Sequence, residues 1–252
     1  MLRADVDGSP ARSTRASRPV APPAPIRVAL AVILLCALGL EAPPARADMM
    51  LSKVVVDFTS ARPTRDDIEI SNSGDAILYV SIEPSEIVNP GRPDQRRVAN
   101  PNPRQLGLLI SPNRLVLGPG ERKVVRLSLL ERPDDRDRIY RVTIKPVIGE
   151  IVATQSALKL VVGYDVLVIA RPQNAQPLLE VSRRGTTVEL RNLGNTNALL
   201  FNGRQCDETA TDCAELPSKR IYAGGVWQFE LPATGPARFL VESDGGTTVE
   251  TF

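Results

Sequence analysis

Ser156-Ala157-Leu158-Lys159-Leu160-Val161-Val162-Gly163-Tyr164-Asp165-Val166-Leu167-Val168-Ile169-Ala170 is the longest β-patterned run in the chain, against a common strand length of about five or six residues. In an extended chain, Leu158, Leu160 and Val162 share one face and Lys159 and Val161 the other. Beyond Gly163, Tyr164 and Val166 continue the first face. By periodicity alone the run reads as an ordinary core strand. Arg171-Pro172 ends it, because proline offers no donor to a ladder.

Upstream of this run, Val54 to Val56, Ile68 to Ile70, Ile77 to Ile82, Lys123 to Leu130 and Tyr140 to Val147 read as strands. Asn72-Ser73-Gly74, Asn89-Pro90-Gly91 and Gly118-Pro119-Gly120 are the turns between them. After Pro172 a second set follows: Leu178 to Val181, Thr187 to Leu190, Ala198 to Phe201, Trp227 to Leu231, Phe239 to Val241 and Thr247 to Glu250. Short strands spaced by about 8–12 residues predict a sandwich or barrel. An internal echo points to two similar domains. Ile68-Glu69-Ile70-Ser71-Asn72-Ser73-Gly74 and Val188-Glu189-Leu190-Arg191-Asn192-Leu193-Gly194 each run from an alternating strand into an Asn-x-Gly turn, with an apolar run beyond. The boundary falls at Arg171-Pro172-Gln173, giving domains of about 48–171 and 172–252.

Before the first strand, Arg12, Arg15, Arg18 and Arg27 precede an apolar run from Val28 to Leu40, and Ala45-Arg46-Ala47 follows. Basic segment, short apolar segment and small-x-small site form the pattern of a cleavable secretory signal. Residues 1–47 are expected to leave and the mature chain to begin at Asp48, exported to the periplasm. The competing reading, an uncleaved anchor, would need about 20 apolar residues to span a bilayer. A lipoprotein reading through Cys36 meets bulky Leu35 where a small residue is expected.

The whole chain carries 31 basic and 29 acidic side chains. Residues 1–47 hold six arginines and three acids, so the mature chain has a net charge of −1. Lysines and arginines scattered among acids make a solvated surface, not the basic footprint of a nucleic-acid binder. Cys206 and Cys213 remain after export, in a compartment where thiols oxidise, and a disulfide is expected. A metal site is the rival reading, but two thiols in a chain without histidine make a poor zinc centre. The missing histidine also removes every Ser-His or Cys-His nucleophile arrangement. With no Gly-rich phosphate loop and no paired-carboxylate site, neither an enzyme nor a small-molecule or cofactor binder is expected.

From Val54 to Val249 the chain resembles the PapD-like periplasmic pilus-assembly chaperones. Ile70-Ser71-Asn72, Ile110-Ser111-Pro112, Leu117-Gly118-Pro119-Gly120 and Val124-Val125-Arg126-Leu127 carry the likeness in the first domain. Pro133-Asp134-Asp135-Arg136-Asp137-Arg138-Ile139-Tyr140, Val168-Ile169-Ala170-Arg171-Pro172 and Asp244-Gly245-Gly246 extend it. The resemblance implies an all-β fold of two immunoglobulin-like sandwiches in tandem. It implies a chaperone whose first-domain G strand completes pilus or fimbrial subunits through donor-strand complementation, with those subunits and an outer-membrane usher as partners. The donor residues carried over are Leu158, Leu160 and Val162, with Tyr164 continuing their face. Burying three such side chains is worth about 5–9 kcal/mol before association costs.

The resemblance further implies an interdomain ion pair of Asp137 with Arg171, joined by Asp244. It also implies a cationic seat for the terminal carboxylate of the bound pilus protein, and here the chain departs from the family: the late G-strand lysine falls on Leu167, and the first-strand arginine has Arg62 as its nearest match. The alternative function is an exported structural or adhesive sandwich, itself akin to the pilus subunits.

Overall fold

In the computed structural model, which describes residues 49–147, 162–207 and 212–252, the alternating runs become strands. In chain order they are β1 (Met49–Leu51), β2 (Val55–Phe58), β3 (Arg65–Asn72), β4 (Leu78–Val88), β5 (Arg96–Val98), β6 (Leu108–Ser111), β7 (Arg114–Leu117), β8 (Arg122–Leu129), β9 (Arg138–Pro146) and β10 (Tyr164–Ala170). There follow β11 (Leu179–Arg184), β12 (Thr187–Asn192), β13 (Ala198–Cys206), β14 (Cys213–Leu216), β15 (Lys219–Ile221), β16 (Val226–Glu230), β17 (Ala237–Ser243) and β18 (Gly246–Thr251). One helical turn, α1 (Pro103–Leu106), is capped by Asn102 and ended by Gly107 at φ 79°, a conformation that glycine adopts without strain.

Strands from residues 49–170 make two sheets, ordered β1-β3-β8-β6 and β2-β10-β9-β4-β5, with β7 also on β4. Their inward rows close one core that includes Ile68, Ile70, Leu127, Val142, Val166 and Val168. Strands from 179–251 make two more, β11-β12-β16 and β14-β13-β17-β18, with β15 on β13. A second core lies among Val188, Leu190, Leu200, Phe229 and Phe239. Face-to-face, largely antiparallel sheets filled by alternate residues are the sandwich architecture, so the all-β, two-sandwich expectation holds.

The two strand sets match the expected runs closely, with one instructive exception. β4 continues six residues past Ile82, through Glu83-Pro84. Beside β4, β7 pairs with Leu78 to Ser81 and β5 with Glu86 to Val88. Pro84 falls in the gap between them, so its missing donor costs no ladder bond on that side. Six short strands, β1, β5, β6, β7, β14 and β15, have too little alternation to be seen in the sequence.

Cys206 ends β13 and Cys213 opens β14 directly opposite it, and the two are joined with an S–S distance of 1.98 Å.

Candidate functional site

The expected donor strand begins its ladder at Tyr164; Val162 and Gly163 precede it without strand pairing, and Leu158 and Leu160 lie outside the described residues. On one side, β10 pairs with β9 over its whole length, Tyr164 to Ala170. On the other it pairs in parallel with β2, but only from Leu167 to Ala170. The reason is that the chain changes sheets: β1 pairs with β3 in the facing sheet, and only from Val55 does the chain lie beside β10. Among the described residues, Tyr164 to Val166 therefore present an open edge. An open edge offers unpaired backbone donors and acceptors to an added strand.

Residue parity tells which groups face that edge. Leu167 N–H donates to Val54 O on the β2 side, 3.0 Å. Backbone direction alternates along a strand, so the Asp165 N–H and C=O face the same side. The side chains divide likewise. Val166, Val168 and Ala170 are in the first core, while Leu167 and Ile169 lie on the other face with Ile87, Ile139 and Tyr222. Tyr164 packs partly into the first core and its hydroxyl donates to Met49 O, 2.9 Å. It is thus a residue of this chain's own sandwich, whereas Val162, on the same parity, is 52 % exposed.

At the far end of β10 stands Arg171, whose side chain is fully buried. Its guanidinium makes a fork with Asp57 of β2, Nε to Oδ1 at 2.9 Å and Nη2 to Oδ2 at 2.8 Å. Nη1 donates to Thr196 Oγ1 and to Asn197 O in the following set of strands, 2.7 and 3.1 Å. Burial works against this charge, but the bonds and charge of Asp57 outweigh it and hold its pKa above the ordinary arginine value. Asp244 Oδ1 is 3.9 Å from Nε. Asp244 also accepts from Ser60 N–H at 2.9 Å and from its hydroxyl at 2.5 Å, so it ties the β17–β18 turn to the turn after β2.

The expected direct pair of Asp137 with Arg171 is corrected here: the paired carboxylate is Asp57. Asp137 Oδ2 instead accepts from Asn197 N–H and Nδ2, and Asp137 Oδ1 has no hydrogen-bond partner among the described residues. Burial raises the Asp137 pKa, against the lowering effect of those bonds and of the Arg171 charge. Asp57 escaped sequence reading because the two partners stand 114 residues apart and only the parallel register of β2 on β10 unites them.

Arg62 lies exposed in the turn after β2, where its carbonyl accepts from Arg132 Nη2. Leu167 is buried against Tyr222 and the isoleucines, with Arg141 of β9 opposite it in register. At Leu167, where the resemblance would put the late G-strand lysine, the structure has an apolar floor.

No protein-family model matches the chain. Among curated proteins, it is 24% identical over 191 residues to a CS1 fimbrial subunit of Escherichia coli, covering 71% of this chain and 80% of that one. It is 25% identical over 161 residues to a CFA/I fimbrial subunit of Escherichia coli, covering 61% and 66%. Among solved structures, the class 5 fimbriae chaperone CfaA superposes with a TM-score of 0.59 at 21% identity, over 81% of this chain and 98% of that one. A chain of the Salmonella enterica complex of SafA pilin with the SafB chaperone also reaches 0.59, at 16% identity over 82% and 97%. The CsuC–CsuE chaperone–tip adhesin complex of Acinetobacter baumannii gives 0.55 at 14% identity, over 82% and 97%. At these identities the likeness is one of architecture, and two sandwiches with β10 open at one edge satisfy it: the chain has the fold of the PapD-like periplasmic chaperones.

Proposed function

We propose that the protein is a periplasmic chaperone for pilus or fimbrial subunits, delivering them to an outer-membrane usher after its leader is cleaved behind Ala47. In this reading, residues 48–171 form the client-holding domain and residues 172–252 the second sandwich. The strand lent is the row Leu158, Leu160, Val162, which prolongs the core face of β10. The observation that carries the reading is the open β10 edge at Tyr164 to Val166, with exposed Val162 just beyond the core. A client lacking a strand exposes an apolar groove and unpaired edge groups. A lent strand with alternating apolar residues satisfies both at once.

The names of the two curated relatives favour a second reading, in which this chain is itself one of the fimbrial subunits. Co-expression with a candidate pilin separates the two. A chaperone keeps that pilin soluble and co-purifies with it; a structural component of the fimbria is itself captured and assembled.

Within the chaperone reading, Leu160→Glu puts an unpaired carboxylate into the client's groove, at a desolvation cost of several kcal/mol. Capture should fall by orders of magnitude while the thermal melt is unchanged, and Lys159→Glu, of opposite parity, should leave capture largely intact. Unfolding of Leu160→Glu, or undiminished capture by it, sinks the lent-strand mechanism.

A further inference from the structure

β18 is the outermost strand of its sheet, and among the described residues it pairs with β17 alone. Every residue from Gly246 to Thr251 is exposed. Ala237 and Phe252 exchange both backbone bonds at the base of this hairpin, 3.1 and 2.9 Å. By alternation, Thr248 and Glu250 also turn their N–H and C=O groups towards β17. Thr247, Val249 and Thr251 turn theirs outwards, so β18 has an open edge of its own.

Open edges are commonly blunted by charged side chains, by proline, by a bulge or by shortness. β5 follows that rule, being short and carrying Arg96 and Arg97, and β11 follows it with Glu180, Arg183 and Arg184. β18 does not. It reads Gly-Thr-Thr-Val-Glu-Thr, without lysine, arginine or proline. Its register on β17 runs unbroken from Ser243↔Gly246 to Arg238↔Thr251. Threonine and valine favour the extended chain, so the edge is ready for an added strand.

The order of the side chains says which strand fits. Outwards from Val249 the edge reads the same both ways, with Thr247 on one side and Thr251 on the other. Antiparallel pairing of two β18 strands about a two-fold axis at Val249 sets Thr247 opposite Thr251, Val249 opposite itself and Thr248 opposite Glu250. Every outward N–H and C=O from Thr247 to Thr251 then meets a partner. The Thr248 hydroxyl, which donates to Glu250 Oε1 of its own chain at 3.1 Å, comes beside the other copy's Glu250 carboxylate. Sliding the strands by two residues leaves Thr247 or Thr251 without a partner. In one direction it also sets the two Glu250 carboxylates face to face.

We propose that β18 is a self-docking edge, through which two copies of this chain join their second sandwiches into one continuous sheet. The same patch serves both copies, so the pair closes on itself and offers no edge for fibre growth at this site. The inference stands apart from the lent-strand reading. β18 and β10 belong to different sheets, so the pairing consumes none of the backbone groups at Tyr164 to Val166.

The test uses protein purified from cells expressing the full chain. One strand-to-strand contact is small, so the dimer is weak and concentration-dependent. Sedimentation equilibrium between about 5 and 500 μM should show the average mass rising towards twice the monomer's. Val249→Lys sets like charges opposite each other at the axis and should abolish that rise, with the thermal midpoint unchanged. Thr248→Lys sets opposite charges against each other only in the Val249 register, and should lower the dissociation constant by about twofold or more. In the unmodified protein, amide exchange at Thr247, Val249 and Thr251 should slow as concentration rises, while Thr248 and Glu250, already bonded to β17, should not change.

A mass that stays monomeric throughout, or a rise that Val249→Lys leaves intact, overturns the self-docking edge. Weaker association of Thr248→Lys overturns the axis at Val249. Slowed exchange at Thr247, Val249 and Thr251 only when a candidate pilin is added, in protein that alone stays monomeric, gives the edge to another chain and rejects a second copy.

Discussion

Arg171 shows how one residue can fix the end of a functional strand. Its fork to Asp57 locks β2 onto the last residues of β10, and Nη1 reaches Thr196 and Asn197 beyond the linker. Removing one member of a buried pair leaves the other's charge stranded, whereas replacing both with apolar groups of similar size is much cheaper. Asp57→Asn should therefore cost about 3 kcal/mol, the low end of the range for broken buried pairs, because the Asp57 side chain keeps 19 % exposure and Asp244 stays near. The double variant Asp57→Leu with Arg171→Met should cost less than that single change. Urea denaturation of both settles it, and a double variant less stable than Asp57→Asn refutes the argument.

At the scale of elements, the echo between the two halves has a physical cause. Asn72 ends β3 and Asn192 ends β12, and both are buried. Asn72 Nδ2 donates to Ala76 O and Leu117 O, and Asn192 Nδ2 to Thr196 O and Ile221 O. In each case the side-chain oxygen accepts from the glycine N–H two residues on. One asparagine thus closes a turn and ties it to another strand's carbonyl. Gly194 is further constrained, since a Cβ there would lie 2.2 Å from Gln176 O. Asn192→Ala would take the Nδ2 donor from Thr196 O and Ile221 O, at about 1–3 kcal/mol for each group left unsatisfied out of reach of water, and would leave Gly194 N–H with Leu178 O alone. Its thermal midpoint should drop by several degrees, whereas Arg191→Ala, on the exposed face, should shift it little.

Such corners were legible because a turn is local: strand, Asn-x-Gly and strand all lie within about ten residues. The sandwich class was legible for the same reason, as was the cysteine pair, seven positions apart. The site was not. The crossing of β1 into the facing sheet and the Asp57 partner both depend on register between distant strands, which alternation leaves undetermined. Tyr164 shows the same limit: parity placed it on the donor face, but whether that face is covered depends on Met49, 115 residues away.

For the whole molecule, the question is whether two sandwiches with separate cores unfold together. They are joined by the Arg171 fork, the Asn197 bonds to Asp137, the small cluster around Tyr222, and the clasp of Asp244 on Ser60. Several buried polar links plus an apolar contact make cooperative unfolding the expectation for the intact chain. The only tryptophan, Trp227, stacks on Phe229 at 4.2 Å in the second core, so its fluorescence reports that sandwich alone. Circular dichroism reports the strands of both. In the wild type the two transitions should coincide. Asp244→Ala removes both Ser60 bonds and the acid nearest Arg171 Nε after Asp57, without touching either core. It should split the transitions by several degrees, with the fluorescence change first, because the second core is the smaller and loses the clasp on its own hairpin. Coincident transitions in Asp244→Ala, at an unchanged midpoint, would show that the Arg171 and Asn197 bonds and the apolar cluster couple the sandwiches without the clasp. Separate transitions already in the wild type would show that they are not coupled.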